Sequence, residues 1–300
     1  MMKRIIFLCF FCWSLIQVYA QQGYIETGYT PSRDFLNEDK EKLGSGDNWQ
    51  VSGRYSFPFS VKTNDKGQPI AWSGTVSGTY ARMNNKDEAA FVNPDDVMNL
   101  SFNVSHLRPI SKKWYMMASL GVGIYTETAH ISYKGILANG AVIFAYKLKE
   151  NLDIGVGAGL TNSYGIPIVM PMGFLKWNSS GRCEINVELA NTVKASVARR
   201  FSDNFKLSLV LFDMDGMTAV VKRENDYKIY GATRARAYLK PELKLGNKSS
   251  VYLAVGSELM NMVRISDRSL KGFTNSFKSN TGKWEFDTSV YLMAGFKYGF

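Results

Sequence analysis

Only two histidines and three cysteines are available for chemistry in this chain of 300 residues. The sharpest arrangement is His130-Ile131-Ser132. Side chains at i and i+2 of a strand share a face, so an imidazole at 130 could take the Ser132 hydroxyl proton and make it a nucleophile. No third member of such a relay is identifiable. His106 follows Val104 on an apolar parity beside Arg108-Pro109 and suits an anchoring role at a strand end. Two histidines this far apart do not build a multi-histidine metal site. Asp213-Met214-Asp215-Gly216 begins like a calcium loop, but the later ligand positions do not follow. The spacings therefore point to no metal and no cofactor. What does recur is charge on a single parity. Arg234, Arg236, Lys240 and Lys244 share one, and Arg54, Lys62, Lys194 and Arg200 hold the corresponding place in other segments. Glu184, Glu188, Glu258, Glu285 and Asp287 supply the opposite sign there. Lining a pore, a basic excess would favour anions. Paired with one another, the same groups would fill and brace a narrow barrel.

Such charges need strands to aim them, and the last segment is the clearest strand. From Trp284 the even positions read Trp284, Phe286, Thr288, Val290, Leu292, Ala294, Phe296, Tyr298 and Phe300. The odd positions from Glu285 to Gly299 are polar or small, apart from Tyr291 and Met293. Alternating side chains point to opposite faces of a strand, so this segment has one apolar face with aromatics at both ends. A membrane-spanning strand needs about 9–11 residues with aromatic girdles at the interfaces. The alternation recurs in Val51–Val61, Ile70–Tyr80, Leu152–Leu160, Thr233–Leu243 and Val251–Leu259. Helices would instead repeat their apolar residues every third or fourth position.

The start of the chain reads differently. Lys3 and Arg4 precede an apolar run from Ile5 to Ile16, and Val18-Tyr19-Ala20 offers small residues before Gln21. That three-part layout predicts a secretory signal peptide over residues 1–20, cleaved to leave 21–300 as one domain. The first twenty residues carry two basic and no acidic side chains, so the net charge falls from +10 to +8 on cleavage. Cleavage also removes two of the three cysteines and leaves Cys183 alone, with neither a disulfide partner nor enough soft ligands for structural zinc. Beyond the signal no apolar run of about eighteen residues exists, which excludes a helical membrane protein.

Connections alternate in length. Short polar turns fall at Pro109–Lys113, Lys149–Asn151, Ser202–Asn204 and Gly246–Ser249, and longer polar segments at Pro31–Asn48, Asn84–Asp96 and Ser266–Lys283. Short turns on one side and long loops on the other belong to an up-and-down antiparallel transmembrane β-barrel. A soluble sandwich shares the strand alternation but has no reason to alternate its connections. The expected count is 12–14 strands, fourteen if Tyr24–Thr30 crosses and a hairpin turns around Asn191–Thr192.

The closing strand, with Phe300 terminal and Tyr298, Phe296 and Ala294 at alternating positions, resembles the signal by which Gram-negative outer-membrane proteins are inserted. Leu107-Arg108-Pro109-Ile110-Ser111-Lys112-Lys113-Trp114 is a strand–turn–strand unit. Another is Tyr146–Leu152, leading into Gly155-Val156-Gly157-Ala158-Gly159. With Pro167–Pro171 they resemble an uncharacterised family of bacterial outer-membrane β-barrels, a domain of unknown function. The resemblance implies residence in the cell outer membrane, contact with its lipid and lipopolysaccharide, and use of its insertion machinery. It names no ligand and no nucleic-acid partner. His-x-Ser resembles the pair of outer-membrane lipid hydrolases, although those follow Ser with Asn and here Tyr133 follows. Two functions are expected on these grounds. One is a small-solute pore or structural surface barrel with Arg54, Arg234, Arg236 and Lys240 lining the lumen; the other is a lipid hydrolase using His130 and Ser132.

Overall fold

Period-two alternation gives strands that cannot bury both faces alone, and they close on one another. The computed structural model describes residues 21–179, 183–189, 192–224, 226–278 and 283–299. The expected signal peptide (1–20), Asn191 and Phe300 lie outside the described residues. Thirteen strands follow one another with antiparallel pairing. They are β1 (Gln22–Leu36), β2 (Lys42–Thr63), β3 (Pro69–Asp87), β4 (Asp96–Pro109), β5 (Trp114–Thr126), β6 (Ile136–Lys149) and β7 (Leu152–Thr161). Then come β8 (Ile168–Ser179), β9 (Cys183–Leu189), β10 (Val193–Arg200), β11 (Phe205–Arg223), β12 (Asp226–Lys244) and β13 (Ser249–Asp267). The short β14 (Lys283–Phe286) and β15 (Ser289–Tyr298) are two halves of one further strand, since both lie between β13 and β1. The result is a closed antiparallel barrel of fourteen strands.

The outward belt is apolar. Ile25, Phe59, Leu120, Val122, Val156, Val169, Leu211, Leu253, Val255, Val290 and Leu292 all stand exposed. A surface like this is costly in water and is solvated by lipid tails. Trp72, Trp114, Phe201, Phe205, Phe296 and Tyr298 mark its rim at the short-turn end. Trp72 stacks on His106 with ring centroids 4.2 Å apart, and His106 Nδ1 lies 3.2 Å from the Ala71 carbonyl.

Wall height is uneven. β2 has 22 residues and β11, β12 and β13 have 19 each, whereas β9 has 7 and β10 has 8. Much of the segment Pro31–Asn48, expected as a loop, is therefore strand, with its turn confined to 37–41. Helix α1 (Glu88–Val92) fills the β3–β4 connection, and α2 (Leu270–Lys278) follows β13.

Four wall strands carry an extra residue at one height. β1 slips between Thr30 and Arg33 against β2, and β11 slips between Val210 and Asp213 against β12. β13 slips at Leu259 against β12, and the break between β14 and β15 at Asp287-Thr288 lies beside it. A bulge bends its strand and inverts side-chain parity beyond it. Phe286 accordingly points into the barrel and is buried, with Trp284 packed against the same cluster. Both were expected on the outer, apolar face. Glu285, expected inside, instead pairs with the exposed Lys40, and Asp287 is exposed.

Above the bulges the bent walls meet. Phe35, Met83, Val97, Met217, Val221, Tyr230, Val263 and Phe286 form one buried apolar cluster drawn from opposite sides of the barrel. Each large side chain buried this way contributes about 1.5–3 kcal/mol. Tyr230 hydroxyl donates to Asn93 Oδ1 at 3.3 Å, so even the polar tip is satisfied across the gap. Among the described residues, β11 has no partner on its β10 side beyond Met214. It crosses instead to β5, bridging Val220 to Thr126. The tall strands thus seal on themselves and leave β7–β10 as a lower wall.

Candidate functional site

Below the apolar cluster lies a polar cavity of about 530 Å³. Its lining includes six basic side chains (Arg54, Lys194, Arg234, Arg236, Lys240, Lys297) and three acidic ones (Glu26, Asp213, Asp215). Of the eight basic residues that share the polar parity, Arg54, Lys194, Arg234, Arg236 and Lys240 face this one space, while Lys62, Arg200 and Lys244 are exposed and take no part in its lining. The structure also divides them into two kinds.

Arg234 and Arg236 are locked. Arg234 donates from Nε and Nη2 to both oxygens of Asp215, at 3.0 and 3.1 Å, and from Nη1 to Gln50 Oε1 at 2.5 Å. Arg236 donates to Glu258 at 2.8 Å and to Asp215 at 3.2 Å. Arg33 holds the other oxygen of Glu258 and lies over the Phe286 ring at 5.2 Å. Three guanidinium groups thus share two carboxylates at the height of the bulges. Forked pairing of this kind fixes orientation as well as charge. Nearby, Lys194 donates to Asp213 at 2.6 Å and Lys297 to Glu242 at 2.7 Å.

Arg54 and Lys240 are different. Neither has a carboxylate partner among the described residues. Lys240 Nζ sits 5.1 Å from the centroid of Tyr252, whose hydroxyl donates to Glu26 at 2.8 Å. Glu26 is the one lining carboxylate without an ion pair among the described residues, so the cavity keeps a positive surplus.

The opposite wall is built from hydroxyls. Ser52 pairs with Thr79 at 3.2 Å, Ser56 with Thr75 at 2.9 Å, Ser77 with Ser101 at 2.9 Å and Ser73 with Ser105 at 2.9 Å. These pairs step along β2, β3 and β4. Ser52, Ser77, Thr79 and Asn99 reach the cavity itself. The lining also includes Thr192, Asp215 and Gly216, where the described pairing with β10 ends and β11 continues against β12.

His130 and Ser132 are not on a strand. They fall in the β5–β6 connection, whose short 3-10 turns span Thr128–His130 and Tyr133–Gly135. Ser132 Oγ accepts from the Lys134 amide at 3.2 Å, while His130 Nδ1 lies 2.9 Å from Glu127. Glu127 also accepts from the Lys222 amide at 2.7 Å and from Arg223 at 3.3 Å. No hydrogen bond joins the two side chains, so the imidazole is engaged in tying the loop to β11 and does not address the hydroxyl. Phe296 and Tyr298 are exposed on the outer surface of β15.

Glu26, Gln50, Asp215 and Tyr252 complete the site without having been singled out as lumen residues, and Lys297, on the polar face of the closing strand, joins them there. Tyr24 and Glu26 share a parity in β1, but only strand pairing places them beside Arg54 and Lys297.

Solved structures with similar folds include an outer membrane channel from Pseudomonas putida F1, at 7% identity and TM-score 0.45, covering 94% of this chain and 96% of that one. The P. putida toluene transporter TodX shares 8% identity at TM-score 0.37, with coverages of 95% and 91%. The NanC porin shares 6% at TM-score 0.34, with coverages of 92% and 98%. Likeness at this level carries no argument about what the present barrel does. No curated protein matches the chain. Residues 16–299 match a family throughout, and the chain belongs to that family, described as Domain of unknown function (DUF6268).

Proposed function

We propose that this barrel is an outer-membrane channel for small solutes, with a preference for anions, exported by a signal peptide over residues 1–20. The observation that carries the reading is the cavity of about 530 Å³ with Arg54 and Lys240 on its wall, neither in ion-pair contact with a carboxylate among the described residues. Fixed charges at close quarters select the ions that approach them. The locked Arg234 and Arg236 contribute less, because their carboxylates cancel most of their field. The apolar cluster above the cavity favours a second reading, a closed structural barrel at the cell surface. Lipopolysaccharide and the insertion machinery are the partners that either reading requires.

Conductance separates the two. Folded protein in planar bilayers under a salt gradient is expected to give a reversal potential of anion-selective sign. Arg54→Gln with Lys240→Gln moves it towards zero, and Arg234→Gln moves it little. Bilayers that stay sealed around correctly folded protein would refute the channel.

A further inference from the structure

We infer that the cavity is a binding site for a small hydroxylated carboxylate, such as a sugar acid. The inference rests on the channel reading for its physiological setting, and on the cavity's own two walls for its chemistry.

The charge requirement comes first. Lys194 and Lys297 each have a carboxylate, and the three guanidinium groups share Asp215 and Glu258. Arg54 and Lys240 then face a single unpaired carboxylate, Glu26. The balance of the site is positive, and a bound anion restores it. Arg54 presents a planar fork suited to a carboxylate, and Lys240 adds a point charge elsewhere on the wall of the same cavity.

Each hydroxyl pair on the β2–β4 wall uses one proton. A hydroxyl has one donor and two acceptor lone pairs, so a bonded pair keeps one proton and several lone pairs free. Ser52–Thr79 and Ser77–Ser101 thus offer both donors and acceptors to a ligand that has hydroxyls of its own. Chloride or a plain aliphatic acid would leave that wall unused.

Tyr252 supplies a surface for the carbon skeleton. Its ring lies flat across Gly295, where an added Cβ would come within 2.4 Å of the ring. Glycine at 295 is what lets the tyrosine lie down between Lys240 and Glu26. Polar groups converging around a ring face in a cavity of this size are what an organic ligand needs.

The test is titration calorimetry on the full folded chain in detergent micelles, so binding is read independently of conductance. The probes are glucuronate, glucose, cyclohexanecarboxylate and inorganic phosphate. Glucuronate is expected to bind at least about tenfold tighter than each of the others, the worth of a charge-assisted or matched hydrogen bond. Arg54→Gln and Lys240→Gln each weaken glucuronate about tenfold. Neither leaves a partner orphaned, and heat-modifiable gel mobility verifies that the variants fold. Ser77→Ala with Thr79→Val weakens glucuronate and leaves cyclohexanecarboxylate unchanged. Equal affinity for all anions, tighter phosphate, or glucuronate binding indifferent to these variants would overturn the inference. Sealed bilayers with glucuronate still bound would refute the channel alone.

Discussion

Replacing Glu258 with glutamine is the most demanding perturbation of this interior. The residue is fully buried, at 0% exposure, and its two oxygens are divided between Arg33 and Arg236, whose side chains are 4% and 9% exposed. Gln keeps the shape and one acceptor but removes the charge. Arg234 and Arg236 would then share Asp215 and Arg33 would lose its carboxylate, with all three side chains buried. Removing one partner of a buried ion pair costs about 3–5 kcal/mol, because the remaining charge is stranded. Asp215→Asn should cost less, since Asp215 is 28% exposed and water can take its place. Equilibrium unfolding of micelle-reconstituted protein in urea, followed by tryptophan fluorescence, measures both. The converse experiment replaces the whole trio, as Arg33→Met, Arg236→Met and Glu258→Leu. Apolar replacement of a buried ionic cluster is often neutral or stabilising. Asp215 keeps its two bonds from Arg234 in that variant, so no charge is orphaned. A Glu258→Gln variant within about 0.5 kcal/mol of the parent would show the cluster to be solvated and the reasoning wrong.

Two further outcomes follow from geometry. Gly295→Ala should cost about 1–3 kcal/mol by driving a methyl into the Tyr252 ring, and almost nothing in a Tyr252→Ala background; equal costs in both backgrounds would remove the ring from the explanation. Glu127→Ala should loosen the end of β11, since that carboxylate holds the Lys222 amide, Arg223 and His130 together. Faster hydrogen exchange at the Met217–Arg223 amides reports this, and unchanged exchange would mean the apolar cluster alone holds the strand.

Much of the barrel was legible because period-two alternation is a direct consequence of strand geometry. The segments around Arg54, Arg234 and Lys240 form strands with those side chains inside, and the closing strand presents Phe296 and Tyr298 outward. What the sequence could not show was pairing. Arg234 and Lys240 look alike on one parity, yet Asp215 and Gln50, both remote in sequence, neutralise or hold the first and leave the second free. His130 and Ser132 suffered the opposite fate. Their i, i+2 spacing has meaning on a strand, and β5 ends before them at Thr126.

Phe286 is buried inside the barrel although its parity is that of the outer face. Parity holds along a strand only until an extra residue intervenes, and here four neighbouring or near-neighbouring strands take one at the same height. β12 and β2 run through that height without interruption, so the slips are absorbed against them and the strands above stay in register. Each bulge bends its strand. Four together bend one side of the barrel across the lumen, which brings Phe35 and Phe286 against Met83 and Tyr230. The charged cluster of Arg33, Glu258, Arg236 and Asp215 sits where parity changes, between the apolar closure and the wet cavity. Its position follows from that boundary: Glu258, one residue from the bulge at Leu259, meets Arg33 and Arg236, which would otherwise face the closure with fewer partners. β7–β10 carry fewer residues and take no part in the bend, so on their side the cavity lining reaches Thr192 and Gly216 without meeting the side chains of the apolar closure other than Met217.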